Sequence, residues 1–330
     1  MQYRYLGNTG IQVSEYSFGT MTFGKETDEA EAQRLVARCM DVGINCFDCA
    51  DLYGGGAAEN ILGKALNGIR DEVLLISKAY FPTGKGVNDA GLSRRYLIQA
   101  VEASLTRLGT DYLDIFYMHR FDERTALDET LRALDDLVGA GKIRYLGVSN
   151  FAAWQVAKAL GQQEKNGWSK LCSIQPMYNL VKRQAEVELF PLALSENLAV
   201  LSYSPLAAGM LTGKYMGGQR PETGRLVANA LYQVRYGEEW MFDTAERFVA
   251  LAGEAGIDPI ALAIAWVHAH PAVTSVILGA RDVGQLEKAL TTSSVTLTPD
   301  MYEQISALSR TPSPATDRTE EGSKNSYALR

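Results

Sequence analysis

Hydrophobic and polar positions follow two alternating periods along this chain. Short continuous apolar runs predict buried strands, and apolar residues three and four apart predict helices packed against them. Strands are predicted over residues 16–19, 44–48, 73–77, 113–118, 143–148, 172–175, 199–203 and 276–278. Helices are predicted over residues 93–108, 127–138, 151–160, 185–195 and 240–255, with another beginning near Ile260. The pattern therefore alternates strand and helix through most of the sequence.

The spacing of these elements predicts an α/β fold, a (β/α)8 TIM barrel. Most successive strands lie roughly 25 to 30 residues apart, which is the length of one βα unit. A doubly wound sheet is the alternative, and it would want a G-x-G-x-x-G after its first strand. The chain contains neither that motif nor a G-x-x-x-x-G-K-[ST]. We therefore expect the barrel, preceded by an N-terminal β-hairpin around the turn at residues 7–10.

One long insertion breaks the rhythm after the seventh barrel strand. It lies between Tyr203 and the helix near Ile260, at the carboxyl-terminal mouth where such barrels carry their function. We expect residues 1–310 to form a single barrel domain. For the tail at 311–330, rich in Ser, Thr, Pro and charge, two alternatives stay open: a mobile coil or a cover over the mouth.

Composition narrows the class of protein. Of the 330 residues, 46% are hydrophobic and 22% charged, which is typical of a soluble globular protein. The formal net charge of −7 leaves no basic surplus for nucleic acid, and no apolar run reaches the ~18 residues of a membrane helix. Four cysteines and no signal-peptide pattern indicate reduced thiols in the cytoplasm. The sequence does not predict an oligomeric state.

Polar residues follow the predicted strands, and in a barrel all of them face one mouth. In chain order they are Thr20, Met21, Asp48, Lys78, His119, Ser149, Asn150, Gln175, Tyr203, Ser204, Gly279 and Arg281. Tyr53 lies five residues beyond Asp48 in the same loop. This set predicts a site at the mouth.

Several of these residues stand in segments that together resemble the aldo-keto reductase superfamily over almost the whole chain. The segments are FDCADLYG at 47–54, ISK at 76–78, YMH at 117–119, GVSNF at 147–151, QPMYN at 175–179, SYSPL at 202–206 and GAR at 279–281. Each one is weak evidence alone, and their joint order and spacing is strong. The neighbourhood resembles the long-chain bacterial-type branch, which is related to potassium channel β-subunits.

Carbonyl reduction explains four of the residues. It needs a hydride donor and an acid for the new alkoxide. A free tyrosine, with a pKa of about 10, is a reluctant acid, and a nearby ammonium lowers that pKa. We therefore expect Lys78 to lower the pKa of Tyr53, Asp48 to hold Lys78 charged and His119 to orient the carbonyl. The resemblance implies the same four catalytic roles.

The resemblance also implies a nicotinamide dinucleotide bound across the mouth. The implied cofactor residues are Gly19, Thr20, Met21, Asp48, Ser149, Asn150, Gln175, Tyr203, Ser204, Pro205, Leu206, Gly209, Leu211, Lys214, Gly279, Arg281 and Gln285. Arg281 can grip a 2′-phosphate bidentately, which favours NADPH/NADP⁺ over NADH, although NADH stays possible. Lys288-Ala289 departs from the family's Glu-Asn, so the adenine contacts and the strictness for NADPH are in doubt. Lys288 either adds charge there or faces solvent.

The substrate is expected to be a small or sugar-derived aldehyde or ketone, reduced reversibly to the alcohol. Expected substrate contacts are Tyr53, His119, Tyr80 and Arg120. The mouth loops at 80–88, 120–124 and 219–240 carry aromatics and arginines that would suit a sugar-like or anionic compound. They are equally typical of loop packing and solvated charge.

Two other functions and one other motif stay as alternatives. The first function is an NADPH-binding regulatory role of the channel β-subunit type; such proteins often carry an extended N-terminal segment, whereas this barrel is expected to begin almost at Met1. The second is a Schiff-base aldolase using Lys78. Cys46 and Cys49 form a C-x-x-C that closes a strand, so neither a redox nor a zinc role is expected. Three scattered histidines predict no metal site.

Overall fold

A closed parallel barrel of eight strands forms the centre of the molecule. The structure is a computed structural model that describes residues 1–219, 221 and 224–322, so part of the predicted tail, 323–330, lies outside the described residues. The hairpin strands are β1 (Tyr3–Tyr5) and β2 (Gln12–Ser14). The barrel strands are β3 (Tyr16–Gly19), β4 (Cys46–Asp48), β5 (Leu74–Ala79), β6 (Leu113–Met118), β7 (Ile143–Ser149), β8 (Leu171–Gln175), β9 (Ala199–Ser202) and β10 (Ser275–Gly279). The predicted (β/α)8 TIM barrel and its hairpin are confirmed.

Helices surround the barrel. They are α1 (Glu29–Asp41), α2 (Ala57–Ala65), α3 (Arg94–Leu108), α4 (Leu127–Gly139), α5 (Ala153–Asn166), α6 (Leu189–Ser195), α7 (Arg225–Ala228), α8 (Ala230–Tyr236), α9 (Glu239–Glu254), α10 (Pro259–Ala269), α11 (Val283–Leu290) and α12 (Pro299–Ala307). Among the described residues no single helix is long and apolar enough to cross a membrane. The α9–α10 pair passes that test together, by length and composition only, and is bent by 103°.

Helix boundaries follow local chemistry. The side chain of Ser93 caps α3, and Gly109 ends it with φ +64°. The predicted helix at 185–195 is instead a 3₁₀ turn, Gln184–Glu186, followed by α6. Pro191 explains the break, because its ring clashes with the carbonyl four residues earlier in a continuous helix. The helix predicted over 151–160 begins at Ala153 and continues to Asn166.

The strand register brings the carboxyl ends of neighbouring strands level. Gly19 pairs with both Asp48 and Gly279. On the other side of the barrel, Ser149 pairs with Gln175. The polar residues predicted at the strand ends therefore share one mouth.

The opposite end of the barrel is closed. Leu6 and Val13, both fully buried, belong to the apolar cluster inside the barrel, together with Ile76, Ile115 and Leu201. Since the hairpin fills the bottom with apolar side chains, the mouth is the end left for chemistry.

Helix α8 ties the insertion to the rim of the mouth. Its last residue, Tyr236, is fully buried. The Tyr236 hydroxyl accepts a hydrogen bond from Asn179 Nδ2 at 3.2 Å and lies 3.2 Å from Ser204 Oγ. The described part of the insertion is therefore packed on the loops that follow β8 and β9.

Candidate active site

A buried ion pair lies at the base of the mouth. Lys78 Nζ donates hydrogen bonds of 2.7 Å to Asp48 Oδ2 and of 2.7 Å to the Cys49 carbonyl. The other carboxylate oxygen of Asp48 accepts from Gln175 Nε2 at 2.8 Å. Thr20 donates from both its main-chain N–H and its hydroxyl to the Asp48 carbonyl. These contacts compensate both buried charges, which fixes the ammonium in one position.

Tyr53 stands above this pair on a 3₁₀ turn, Tyr53–Gly56. The following Gly54 has φ +60°, and a Cβ there would lie 3.1 Å from the Phe23 carbonyl, so the turn requires glycine. Lys78 Nζ lies 5.2 Å from the centroid of the Tyr53 ring.

The predicted lowering of the Tyr53 pKa by Lys78 is wrong for this structure. Burial raises the pKa of the Tyr53 phenol well above its ordinary value, and the nearby Asp48 carboxylate raises it further. The physical reason is that the Lys78 charge is already paired with Asp48, while the phenol has lost contact with water. Tyr53 is therefore a protonated phenol at neutral pH.

His119 faces Tyr53 across the mouth. The two ring centroids lie 6.1 Å apart, with the ring planes at 79° to each other. The Phe81 ring also packs against the imidazole, with the centroids 5.1 Å apart. Burial, assisted by the Lys78 charge, lowers the pKa of His119 to about 3. Its Nδ1 is buried without a hydrogen-bond partner among the described residues. The imidazole is therefore neutral, and it offers hydrogen bonds to a polar ligand.

Four residues at or just after the ends of β7, β8 and β9 form a hydrogen-bonded set beside His119. Asn150 Nδ2 donates to the His119 carbonyl at 2.9 Å and to Ser149 Oγ at 3.1 Å. The Tyr203 hydroxyl donates to Asn150 Oδ1 at 2.7 Å, and Ser149 Oγ donates to the Gln175 carbonyl at 2.9 Å. Asn150 adopts φ +56°, a conformation that asparagine tolerates better than most residues. A cavity of about 160 Å³ opens beside Asn150, Gln175 and Tyr203.

Three cations converge at the other side of the mouth. The Lys214 ammonium is half-buried, and burial lowers its pKa, with the charges of Arg281 and Arg225 lowering it further. None of the three side chains has an ion-pair partner within the described part of the chain. Like charges brought together without carboxylates indicate an anion site.

The loop after β9 lies next to these cations. Ser204, Ala207, Ala208 and Gly209 all have positive φ. Gly209 has φ +87°, which favours glycine, and a Cβ there would come within 2.6 Å of Lys214 Nζ, so the ammonium would have to shift. The Ala207 and Gly209 N–H groups donate within the loop, to the Ser204 carbonyl at 3.0 Å and the Leu206 carbonyl at 2.8 Å. The loop is therefore a tight turn that brings Gly209 against the Lys214 ammonium.

Arg281 and Gln285 meet at the start of α11. The Arg281 main-chain N–H donates to Gln285 Oε1 at 3.2 Å, and the Gln285 N–H is capped by Asp282 Oδ1 at 2.8 Å. Lys288 is exposed, which favours solvent over a cofactor contact.

The remaining predicted residues are placed as follows. Arg120 is exposed on the rim, and Tyr80 is partly buried with its ring packed on Phe81 at 5.1 Å. Met21 is partly buried. Gly19 and Gly279 end their strands at the mouth, while Pro205 and Leu211 are buried and Leu206 is partly buried in the loop after β9.

Sequence reasoning missed three features of the site. Arg225 had been grouped with the substrate loops, yet it lies with Lys214 and Arg281. Phe81 was noted only as a loop aromatic, and it touches the His119 ring. Asp51 is a buried carboxylate in the Tyr53 loop. The signal that could have identified Asp51 was its position as the second aspartate of the FDCADLYG segment at 47–54.

The cysteines lie outside this chemistry. All four are buried and free. Burial raises the pKa of Cys46 to about 12 and raises that of Cys49 as well. Within the described residues there is no group of three or more His, Cys, Asp or Glu that could hold a metal ion.

Comparisons with known proteins define the class. The sequence model of the Aldo/keto reductase family matches residues 16–310. The chain is 37% identical over 317 residues to a probable voltage-gated potassium channel subunit beta of Oryza sativa subsp. japonica, covering 93% of this chain and 96% of the relative. It is 37% identical over 320 residues to an uncharacterized oxidoreductase, YrpG, of Bacillus subtilis, covering 92% and 95%. Versiconal hemiacetal acetate reductase of Aspergillus parasiticus is 34% identical over 335 residues, covering 92% and 96%.

This chain therefore belongs to the aldo/keto reductase family. The family and the relatives named as oxidoreductases support carbonyl reduction as its general chemistry.

Proposed function

We propose that this protein is an NADPH-dependent reductase that converts an aldehyde or ketone to its alcohol, reversibly. The observation that carries the proposal is the protonated Tyr53 phenol, which lies between the buried Lys78–Asp48 pair and the neutral His119. An acid, a fixed cation and a neutral hydrogen-bond donor are the groups that a carbonyl oxygen needs as it becomes an alkoxide.

Each residue has one role in this proposal. Tyr53 gives its hydroxyl proton to the carbonyl oxygen, because an alkoxide is a far stronger base than a phenolate. Lys78 offsets part of the cost of the phenolate that is left, although burial and the Asp48 charge keep the net pKa of Tyr53 raised, and Asp48 holds the ammonium in place. His119 donates an N–H to the same oxygen and orients the carbonyl. Because these four side chains surround the oxygen on which charge develops, a small electrostatic change at any of them should alter the rate of carbonyl reduction strongly.

The residues of the mouth fit a nicotinamide dinucleotide phosphate. Lys214, Arg225 and Arg281, which have no ion-pair partner among the described residues, match the charge of a pyrophosphate and a 2′-phosphate, and the tight loop after β9 lies against Lys214. Ser149, Asn150 and Gln175 would hold the carboxamide, with Tyr203 against the ring. When bound, NADPH supplies the hydride. NADH lacks the 2′-phosphate, so we expect it to bind more weakly.

Substrate contacts are proposed for Tyr53, His119, Tyr80 and Arg120, with a small or sugar-derived carbonyl compound as the ligand. The same proposal includes a cytoplasmic location. It also includes a single barrel domain over residues 1–310, with the tail at 311–330 outside that domain.

A regulatory function is the second candidate, because the rice relative is named as a channel β-subunit. Such a function predicts tight NADPH binding without efficient turnover. The aldolase alternative is less well supported. Lys78 is fully buried and its ammonium is paired with Asp48 at 2.7 Å, whereas a Schiff base needs a free, accessible amine.

The test is titration with NADPH and NADH by intrinsic fluorescence, followed by NADPH consumption against a panel of aldehydes, ketones and keto-sugars. Tight NADPH binding with turnover on any carbonyl supports the reductase. Binding without turnover on the whole panel favours the regulatory function. A lack of binding to either nucleotide would contradict the cofactor assignment.

A further inference from the structure

Helix α8 carries a stack of three planar side chains beside the mouth. The buried Tyr236 is fixed through its hydroxyl by Asn179 and Ser204. The Tyr232 ring stacks on Tyr236, with centroids 6.5 Å apart and planes at 7°. The guanidinium carbon of Arg235 lies 5.3 Å from the centroid of the Tyr232 ring. The Arg235 charge is therefore held on a platform that is anchored in the protein.

This platform lies next to the reacting groups. Ser204, which bonds Tyr236, directly follows Tyr203, and the Tyr203 hydroxyl donates to Asn150 Oδ1 at 2.7 Å. The Arg235 charge accordingly acts to lower the pKa of Tyr203, against the larger effect of burial. Tyr232 is near enough to Tyr53 to be among the groups that raise its pKa. The platform therefore forms a wall of the mouth on the side of Tyr203 and Ser204.

Within the described part of the chain, Arg235 is a cation without an ion-pair partner at this wall. It is half-buried, and no carboxylate among the residues described in the structure forms an ion pair with it. It stands on the platform that is bonded to Ser204, whereas the charges of Arg225 and Arg281 act on Lys214. A phosphate is ordinarily held by several such groups, and one guanidinium fork matches the two oxygens of a carboxylate.

We propose that Arg235 is a specificity-determining residue that pairs with a carboxylate on the substrate, so that the preferred substrates are carbonyl compounds bearing a carboxylate on an apolar or aromatic frame. This inference rests on the proposed reductase function and adds its substrate class. Aromatic rings accompany both ends of this proposed site, since Tyr53 and Phe81 contact the His119 ring and Tyr232 carries the Arg235 guanidinium, which suits a planar apolar frame. The carboxylate then distinguishes substrates by a charge-assisted hydrogen bond at the wall.

The test compares 3- and 4-carboxybenzaldehyde with their methyl esters, each measured as kcat/KM with NADPH. For the wild type we expect at least one acid to be preferred over its ester by about tenfold, a ratio that one charge-assisted pair supplies. In Arg235→Gln this ratio falls to about one, mainly through a higher KM for the acid. Arg235→Lys keeps part of the preference because the charge remains.

Arg225→Gln is the matched control, an arginine of the same insertion in the other cluster. We expect it to weaken NADPH binding and to leave the acid-to-ester ratio unchanged, whereas Arg235→Gln leaves the NADPH Kd unchanged. Reduction of the esters without a preference for either acid would overturn the inference, and so would a preference that survives in Arg235→Gln. Both of these outcomes leave the reductase function intact. Failure of every carbonyl compound, benzaldehyde included, would overturn the proposed function itself.

Discussion

Lys78 Nζ lies 2.7 Å from Asp48 Oδ2, with the two side chains only 0% and 5% exposed. The pair joins the ends of β4 and β5, which are neighbours in the barrel, so the fold itself places the two charges together. A buried pair of this kind contributes little net stability compared with apolar residues, yet removing one partner leaves an uncompensated charge. Its position under Tyr53 therefore indicates a functional rather than a stabilising reason for burying both charges.

Removing one partner of this pair should destabilise the fold strongly. We expect Lys78→Met to lower the free energy of unfolding by about 3 to 5 kcal/mol, because Asp48 is left buried and charged. Urea denaturation of Lys78→Met, Asp48→Asn and the double variant measures the coupling. The double variant should be less destabilised than the sum of the single variants. Simple additivity would show that the two charges do not interact as the geometry requires.

His119 should stay neutral throughout the working pH range. Its pKa is lowered to about 3, so the imidazole loses its proton well below neutrality. We therefore expect kcat/KM to show no step near the ordinary histidine pKa of about 6.5. The measurement is the pH profile of the wild type between pH 5 and 8, with His119→Gln as the control. A step in that range that disappears in His119→Gln would contradict a neutral His119.

Arg281 should distinguish the two nicotinamide dinucleotides. If it reads the 2′-phosphate, Arg281→Gln weakens NADPH binding by about tenfold and changes NADH binding little, since one charge-assisted hydrogen bond is lost. Fluorescence titration with both nucleotides measures the change. Lys288→Gln is the control on the neighbouring helix, and its exposed side chain should matter for neither nucleotide. Equal weakening of NADPH and NADH by Arg281→Gln would show that the arginine does not read the 2′-phosphate.

Asp51 should make the protein less stable as the pH rises. Burial raises the pKa of this carboxyl from 3.8 to about 7, with the nearby Glu59 charge raising it further. Its Oδ1 has no hydrogen-bond partner among the described residues. Between pH 3.8 and about 7 the folded protein holds a proton that the unfolded chain has released, so this group lowers the free energy of unfolding as the pH rises.

The variant that tests this is Asp51→Asn. It cannot ionise, so we expect it to stabilise the fold more at pH 8 than at pH 5, by roughly 2 kcal/mol of difference. Thermal and urea denaturation at both pH values supply the comparison, with Asp300→Asn on α12 as an exposed control. An equal effect of Asp51→Asn at the two pH values would mean that Asp51 is ionised in the folded protein.

Local sequence patterns were sufficient for the barrel and much less so for the helices. The strands are continuous apolar runs because parallel barrel strands are buried on both faces, and that signal is unambiguous when it repeats. Helices α1, α2, α11 and α12 were not predicted, although caps such as Asp28 before α1 and Thr298 before α12 were present in the sequence. Pro191 lies in the first turn of α6 and prevents one continuous helix over 185–195. Apolar periodicity alone does not detect this effect of proline.

The site could be predicted only as far as strand ends determine it. Asp48, Lys78 and Gln175 lie at the carboxyl ends of strands and His119 directly follows one, so the barrel alone brings them to one mouth. Arg225 and Arg235 belong to the insertion, and their positions depend on how that segment packs back on the loops after β8 and β9. The direction of the Tyr53 pKa depends on burial, which no local pattern reports.

The most direct test of the account is the turnover of Tyr53→Phe, measured together with its NADPH affinity. Losing the proton donor should lower kcat by at least about a hundredfold, while the Kd for NADPH stays within about twofold. Tyr112→Phe is the control, since its hydroxyl bonds Asp71 next to the opposite end of β6. Normal NADPH binding with turnover lost in Tyr53→Phe alone is the predicted result. Turnover of Tyr53→Phe within a few-fold of the wild type would contradict the assignment of Tyr53 as the acid.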